Sequence, residues 1–305
     1  MATVLVTGGS GFIGSHLCQS LVQEKWVKRV VNLDLIVSRR AQAPAHYTFI
    51  REDVTNPSLA DTIGLSLDGV THVVHLAGMP GVQSSIANPI ECFKVNVLGT
   101  INLMEICRKM PNLKRVIIAS SSSVYGDSFP SSDAPVSPYA TSKKSAEIAA
   151  KTYSSLYGIE IVCARLFTVY GPGGRPDMAV ARFISAIEAG EEIELFGVSS
   201  RRSFTYVADV VKALTRLLQM EPQEIKFISL DVGYEESTAV GDLAHIVSAA
   251  LDKPATIVIR PRKPGDVIST KPDSSVLNQL VGYSPDTSVK DGIGLTVDSF
   301  FNSIL

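Results

Sequence analysis

The strongest constraint on this chain sits within its first fourteen residues. The apolar run Thr3–Thr7 ends in Gly8-Gly9-Ser10-Gly11-Phe12-Ile13-Gly14, after which the spacing turns helical. A strand that turns through glycines straight into a helix is suited to holding a dinucleotide. Gly8 permits the tight turn, Gly11 lets a backbone approach a pyrophosphate, and Gly14 lets helix and strand pack closely. The helix start then offers free N–H groups and the positive end of its dipole to an anion. Further β-branched runs follow at Arg29–Asp34, Tyr47–Ile50, His72–Leu76, Arg115–Ser120 and Glu160–Phe167. Between them lie amphipathic stretches, such as Val97, Ile101, Met104, Ile106 and Cys107. Strands with little polar alternation, separated by helices, predict a parallel sheet covered on both faces. That is a doubly wound α/β (Rossmann) fold.

After Phe167 the texture changes. Gly171-Pro172-Gly173-Gly174-Arg175-Pro176 combines fixed φ, missing donors and free glycines, and cannot be regular structure. A helix over Met178–Ala189, a strand over Glu192–Phe196 and a loop rich in Ser and Arg (Ser199–Ser203) follow. Ala208–Gln219 and Phe227–Val232 read as an αβ step back to the main sheet, and Val240–Leu251, Ala255–Arg260 and Ser274–Val281 as a smaller lobe. The expected division is therefore residues 1–167, with 205–234 returning, for the nucleotide. Residues 168–204 and 235–305 make a C-terminal α/β lobe for the substrate.

Composition narrows the partners. With 28 Lys+Arg against 30 Asp+Glu the net charge is −2, which gives no reason to expect nucleic acid or an anionic membrane. No apolar run reaches the ~18 residues of a membrane span. Met1-Ala2 leads straight into the first strand, so no secretory signal is expected. Cys18, Cys92, Cys107 and Cys163 lie far apart in apolar surroundings, as thiols of a reducing cytoplasm do. The five histidines show no ligand spacing, and no metal is expected.

Asp34 ends the second strand, 20 residues after Gly14. A carboxylate there can accept both ribose hydroxyls and repels a 2′-phosphate, which favours NAD over NADP. Arg39 and Arg40 pull the other way, since either can reach a phosphate. Asp34 can also be an ordinary strand-end turn residue. Asp53-Val54 fits an adenine contact or a helix N-cap.

Tyr139-Ala-Thr-Ser-Lys143 is the second anchor. Tyr and Lys four apart share one helix face, and Pro138 suits the first turn. An ammonium there can lower the phenol pKa and make it a usable general base. Upstream, Ser120-Ser121-Ser122-Ser123-Val124-Tyr125-Gly126 lies at the end of a strand, where this fold faces its ligand crevice. A serine there can hydrogen-bond the oxygen that Tyr139 addresses; it can also be a polar turn.

These motifs together resemble the extended short-chain dehydrogenase/reductases, in their sugar-nucleotide epimerase branch. The likeness runs along nearly the whole chain: TGGSGFIG (7–14), HLAG (75–78), SSSSVYG (120–126), YATSK (139–143) and GY-x-P (282–285). Leu166–Met178 is similar to the FTVYGPxxRPDM segment of UDP-glucuronate 4-epimerases, and Met79–Val82 to their PGV loop. The resemblance implies a UDP-sugar substrate, NAD regenerated in each turnover, and inversion at C4 through a 4-keto sugar. It assigns Tyr139, Lys143 and Ser121 to catalysis. Around the cofactor it places Gly8, Gly11, Phe12, Ile13, Gly14, Asp34, Asp53, Val54, Leu76, Ala77, Asn96 and Lys143. For the sugar nucleotide it implies Ser121, Ser122, Thr168, Arg175, Arg202, Arg262 and Lys263. Arg175 is the candidate clamp for a C6 carboxylate, which must be held because a β-keto acid loses CO₂; the alternative is a loop salt bridge. Arg202, Arg262 and Lys263 would serve the diphosphate, or be solvated cations.

Three positions depart from the family. Ser203 replaces an Asp and is expected to loosen Arg202, Gln83 stands where an Arg is common, and Gly78 replaces a frequent Ala without expected consequence. Serines at 122 and 123 disfavour 4,6-dehydratases and UDP-glucuronate decarboxylases, which carry acidic groups there. UDP-glucose/UDP-galactose 4-epimerase, a silent NAD-binding sensor and a net 4-ketoreductase remain as rivals. By resemblance, helices around Asn96–Lys109 and Tyr139–Tyr157 imply a homodimer.

Overall fold

The computed structural model describes residues 1–37, 45–63, 67–128 and 134–302. Its centre is a seven-stranded sheet. Strands β1 (Ala2–Thr7), β2 (Val27–Asp34), β3 (Tyr47–Arg51), β4 (His72–His75), β5 (Arg115–Ser121), β6 (Ile161–Leu166) and β7 (Phe227–Val232) lie in the order β7-β6-β5-β4-β1-β2-β3. Every neighbouring pair is parallel. The expected doubly wound sheet is present, with ends shifted by a residue or two: β2 starts at Val27, β4 stops at His75 and β5 runs on to Ser121. All six residues of β1 and all seven of β5 are buried, which explains their unbroken apolar pattern.

The chain winds β1 to β3 outward on one side, then crosses back to build β4 to β7 on the other. The order thus reverses between β1 and β4, and a crevice opens beyond their carboxyl ends. Helix α1 (Phe12–Leu21), helix α3 (Val207–Gln219) and Ser275–Val281 cover one face, with Leu17, Leu21, Val210 and Leu214 fully buried. The other face packs on helix α2 (Pro138–Tyr157) and the continuous helical stretch from Pro89 to Cys107. That stretch widens to a π-turn at Lys94–Leu98.

The second lobe has its own core, with Phe183, Ile193, Leu243 and Ile293 buried between three helices and the parallel pair Glu192–Phe196 and Thr256–Arg260. A short parallel pair, Thr168–Tyr170 with Phe204–Tyr206, marks where the chain leaves and re-enters. Among the described residues no helix is long and apolar enough to cross a membrane, and no cluster of His, Cys, Asp or Glu is placed to hold a metal.

Candidate active site

The carboxyl ends of β1, β4, β5 and β6 open into a cleft of about 720 Å³, whose far wall comes from the second lobe. Gly8, Gly11, Phe12, Ile13, Gly14 and Leu76 line its floor beside Ser121, Ser122, Tyr139 and Lys143. Thr168, Arg175, Arg202, Arg262 and Lys263 line the opposite side.

The glycine turn has the shape the sequence predicts. Gly8 has φ +71°, and a Cβ on it would lie 2.5 Å from the Ala77 nitrogen. A Cβ on Gly14 would lie 2.1 Å from the Gly8 carbonyl oxygen. No side chain caps the start of α1, so its first-turn N–H groups are left for another acceptor. The Asp34 carboxylate accepts from the Ser10 N–H (2.9 Å) and the Ile36 N–H (3.3 Å), bracing the turn from the end of β2.

Other residues assigned to the cofactor are not among those lining the cleft. Asp53 accepts from the Thr55 N–H at 2.8 Å, a local turn. Val54 is core, packed where Gly99 leaves room for it. The Ala77 N–H donates to Thr7 Oγ1 (3.3 Å). Asn96 is buried and accepts from the Met79 N–H (2.8 Å) while donating to Ser142 (2.9 Å). It braces the loop after β4. Arg39 and Arg40 lie outside the described residues.

The reactive cluster comes from β5 and α2. Ser137 caps α2 by accepting from the Ala140 N–H (3.2 Å), Pro138 fills the first turn, and the Tyr139 N–H donates to Ser85 Oγ (3.0 Å). The Tyr139 phenol meets the Ser121 hydroxyl, which also donates to Ser123 Oγ (3.1 Å). One turn on, Lys143 Nζ donates to the Ala119 carbonyl (2.8 Å). Burial lowers the Lys143 pKa to about 8, against the opposing influence of Cys92, Cys163 and Glu147. Burial raises that of Tyr139; the Ser121 hydroxyl and then the Arg175 guanidinium pull it back. The four-residue spacing had pointed to Lys143, whose ammonium is turned to the β5 backbone.

Behind the cluster lies a buried network that the motifs do not reveal. Glu147, one turn after Lys143, accepts from Ser120 Oγ (2.5 Å), Arg165 Nε and Nη2 (both 2.8 Å) and Lys144 Nζ (3.3 Å). Arg165 lies 4.7 Å from the Tyr125 ring centroid, and Tyr125 donates to Asp231 on β7 (2.7 Å). The signal available in sequence was the i+4 spacing from Lys143; the strand partners were out of reach.

On the second lobe, Arg175 is held in a two-point ion pair by Asp177, with Nε to Oδ1 at 2.9 Å and Nη2 on Oδ2. The loop salt bridge is realised, within the cleft wall. Arg202 donates to the carbonyls of Arg201 (2.9 Å), Val267 (2.6 Å) and Ile268 (3.2 Å). Ser203 beside it is fully buried and donates to the Tyr234 carbonyl (2.6 Å). Arg262 donates to the Asp266 carbonyl (2.8 Å) and Lys263 lies 3.9 Å from the Phe196 ring centroid. Gln83 spans the cleft mouth to the Pro264 carbonyl (2.9 Å). Gly78 has more consequence than expected: a Cβ there would press on Asn96 (3.0 Å) and Lys143 Nζ (3.3 Å).

Fold and cleft together define a dinucleotide fold that sets a phenol, a hydroxyl and an ammonium against a cationic second lobe. Comparison with known proteins takes this further. The profile of the NAD dependent epimerase/dehydratase family matches residues 4–229, and the chain belongs to that family. It is 33% identical to the UDP-glucuronate 4-epimerase of Thermodesulfobacterium geofontis, over 98% of this chain and 96% of that protein. Its fold matches that of the Bacillus cereus UDP-glucuronic acid 4-epimerase in complex with UDP-glucuronic acid and NAD, with TM-score 0.91, 31% identity and 99% of both chains covered. It also matches the Thermotoga maritima UDP-glucose 4-epimerase with UDP-glucose, with TM-score 0.90, 28% identity, and 99% of this chain and all of that one covered.

Proposed function

We propose that this protein inverts C4 of a UDP-sugar with NAD, converting UDP-glucuronate and UDP-galacturonate into one another. The residues fit NAD. The Gly8–Gly14 turn leaves no room for a Cβ at its closest points, the first N–H groups of α1 are uncapped beside the cleft, and Asp34 stands at the end of β2. Bound there, NAD would supply a reversible acceptor for the C4 hydride. The chain's own groups do the rest. Tyr139 takes the C4 hydroxyl proton and gives it back, and Ser121 holds the same oxygen. Lys143 positions the nicotinamide ribose, and Arg202, Arg262 and Lys263 neutralise the diphosphate.

The observation that carries the uronate reading is Arg175. It lines the same cleft as Tyr139, with Thr168 on the same wall, and its charge favours the ionised phenol. A guanidinium there can hold the C6 carboxylate so that its C–C bond does not align with the C4 carbonyl, which protects the β-keto acid from losing CO₂.

We further propose that residues 1–167 and 205–234 form the nucleotide domain and 168–204 and 235–305 the sugar lobe. We also propose that the chain is a cytoplasmic homodimer. Exposed Ile90 (84%), Phe93, Leu98 and Ile148 on the stretch Pro89–Cys107 and on α2, two elements that pack together, support the dimer. Four buried free thiols support a reducing compartment.

The test is proton NMR of UDP-glucuronate with the purified protein. Conversion to UDP-galacturonate at a stable ratio without CO₂, abolished in Tyr139→Phe, is expected. Inert UDP-glucuronate alongside interconversion of UDP-glucose and UDP-galactose would refute the uronate assignment, and inertness of all four would refute the activity.

A further inference from the structure

Arg175 enters the cleft already paired. Its Nε and Nη2, one full edge of the guanidinium, are taken by Asp177. Nη2 also faces the loop after β4, since a Cβ on Gly81 would lie 3.1 Å from it. Both two-point edges of a guanidinium use Nη2. A second carboxylate then has the Nη1–Nη2 edge, on a guanidinium whose charge Asp177 already offsets.

Asp177 is in a position to move. Its side chain is 63% exposed against 29% for Arg175, so turning it into water costs little. A second cation, Arg182, lines the same wall and acts on the Asp177 carboxylate. The acidic group across the wall, Glu194, is itself matched by Arg260 at 3.0 Å. The local count is two guanidinium groups to one carboxylate. A sugar carboxylate completes it; a neutral hydroxymethyl leaves the Arg175–Asp177 pair undisturbed.

We infer that Asp177 competes with the C6 carboxylate of the sugar for the charge of Arg175, and that this competition sets the preference between a uronate and a neutral hexose. The inference rests on the substrate reading above. In it, Asp177 stands in for the uronate carboxylate, lets the site accept neutral sugars, and hands Arg175 over when a uronate arrives, with Arg182 ready to receive it.

The experiment is calorimetric titration of the NAD-loaded protein with UDP-glucuronate and with UDP-glucose. It is done in a Tyr139→Phe background so that the sugar is not turned over. Asp177→Asn should shift the ratio of the two Kd values toward UDP-glucuronate by about tenfold, the worth of one charge-assisted contact. Arg175→Ala should shift it the other way, and adding Asp177→Asn to Arg175→Ala should change it by no more than about twofold. UDP alone, bound equally by every variant, controls for folding. An unchanged ratio in Asp177→Asn, or one moved toward UDP-glucose, overturns the inference, because Asp177 would then orient Arg175 instead of competing for it. If Asp177→Asn moves the ratio but the parent protein does not epimerise UDP-glucuronate, the inference stands and the proposed function fails. If UDP-glucuronate binds neither form, both fail.

Discussion

Glu147 offers the sharpest energetic test. Its side chain is 4% exposed, and Arg165 beside it 10%. In Glu147→Gln, Oε1 can still accept from Ser120 and Arg165 Nε. The other oxygen becomes an NH₂ facing Arg165 Nη2 and Lys144 Nζ, donor against donor. Two charge-assisted hydrogen bonds are lost, the buried one to Arg165 worth about 1.5–3 kcal/mol. A buried guanidinium is also left without its counter-charge, which brings the expected loss to about 3–5 kcal/mol. Arg165→Met should cost about the same, since it strands the carboxylate. Glu147→Leu with Arg165→Met removes both charges together. The Ser120 partner, the Lys144 ion pair and the stacking on Tyr125 are then lost, about 1 kcal/mol each. Urea midpoints at constant m-value, on samples shown to refold, read all three. A Glu147→Gln cost below about 1 kcal/mol would refute the reasoning, and so would a double variant as unstable as the two single ones summed.

Three further outcomes follow from the structure. His75 is buried and neutral: Thr7 Oγ1 and Thr100 Oγ1 sit 2.6 and 3.0 Å from its two ring nitrogens, and burial lowers its pKa to about 3. Since the unfolded chain binds the proton below about pH 6.5 and the folded one does not, stability is full above that pH. It then falls toward pH 3 by up to about 1.4 kcal/mol per unit, and urea midpoints of His75→Gln should show a shallower acid slope. Gly14→Ala should abolish NAD retention through purification, read from the absorbance of the released cofactor, because its methyl meets the Gly8 carbonyl. Asp34→Ala should weaken NAD about 10–100-fold in a fluorescence titration, the worth of one or two hydrogen bonds to a charged acceptor.

What the sequence revealed follows from the range of the interactions involved. The strands of the sheet were legible because buried parallel strands carry their environment in their own composition. The glycine turn and Tyr139–Lys143 were legible because their geometry is local, set by a turn or by one helical period. The Glu147 network was not, since Ser120, Arg165 and Asp231 come from three strands whose adjacency only the sheet order fixes. Nor did the sequence show that Asp53 and Asn96 accept from the backbone N–H groups of Thr55 and Met79. Arg175–Asp177 lies two residues apart, and the salt bridge was one of two readings. What the sequence withheld was that this pair lines the same cleft as the Tyr139 phenol.

The path of the chain has a practical corollary. Strand β7 and helix α3 close the first sheet, yet both come after the excursion through Thr168–Tyr206. A polypeptide cut after Tyr206 would carry β6 with a bare edge and α1 with an uncovered flank. The two halves are therefore completed together, during synthesis and in any refolding. An engineer wishing to transplant a different sugar pocket cannot exchange only a tail. The exchange must also replace an internal segment whose two splice points, near Phe167 and Phe204, both lie in the wall of the cleft.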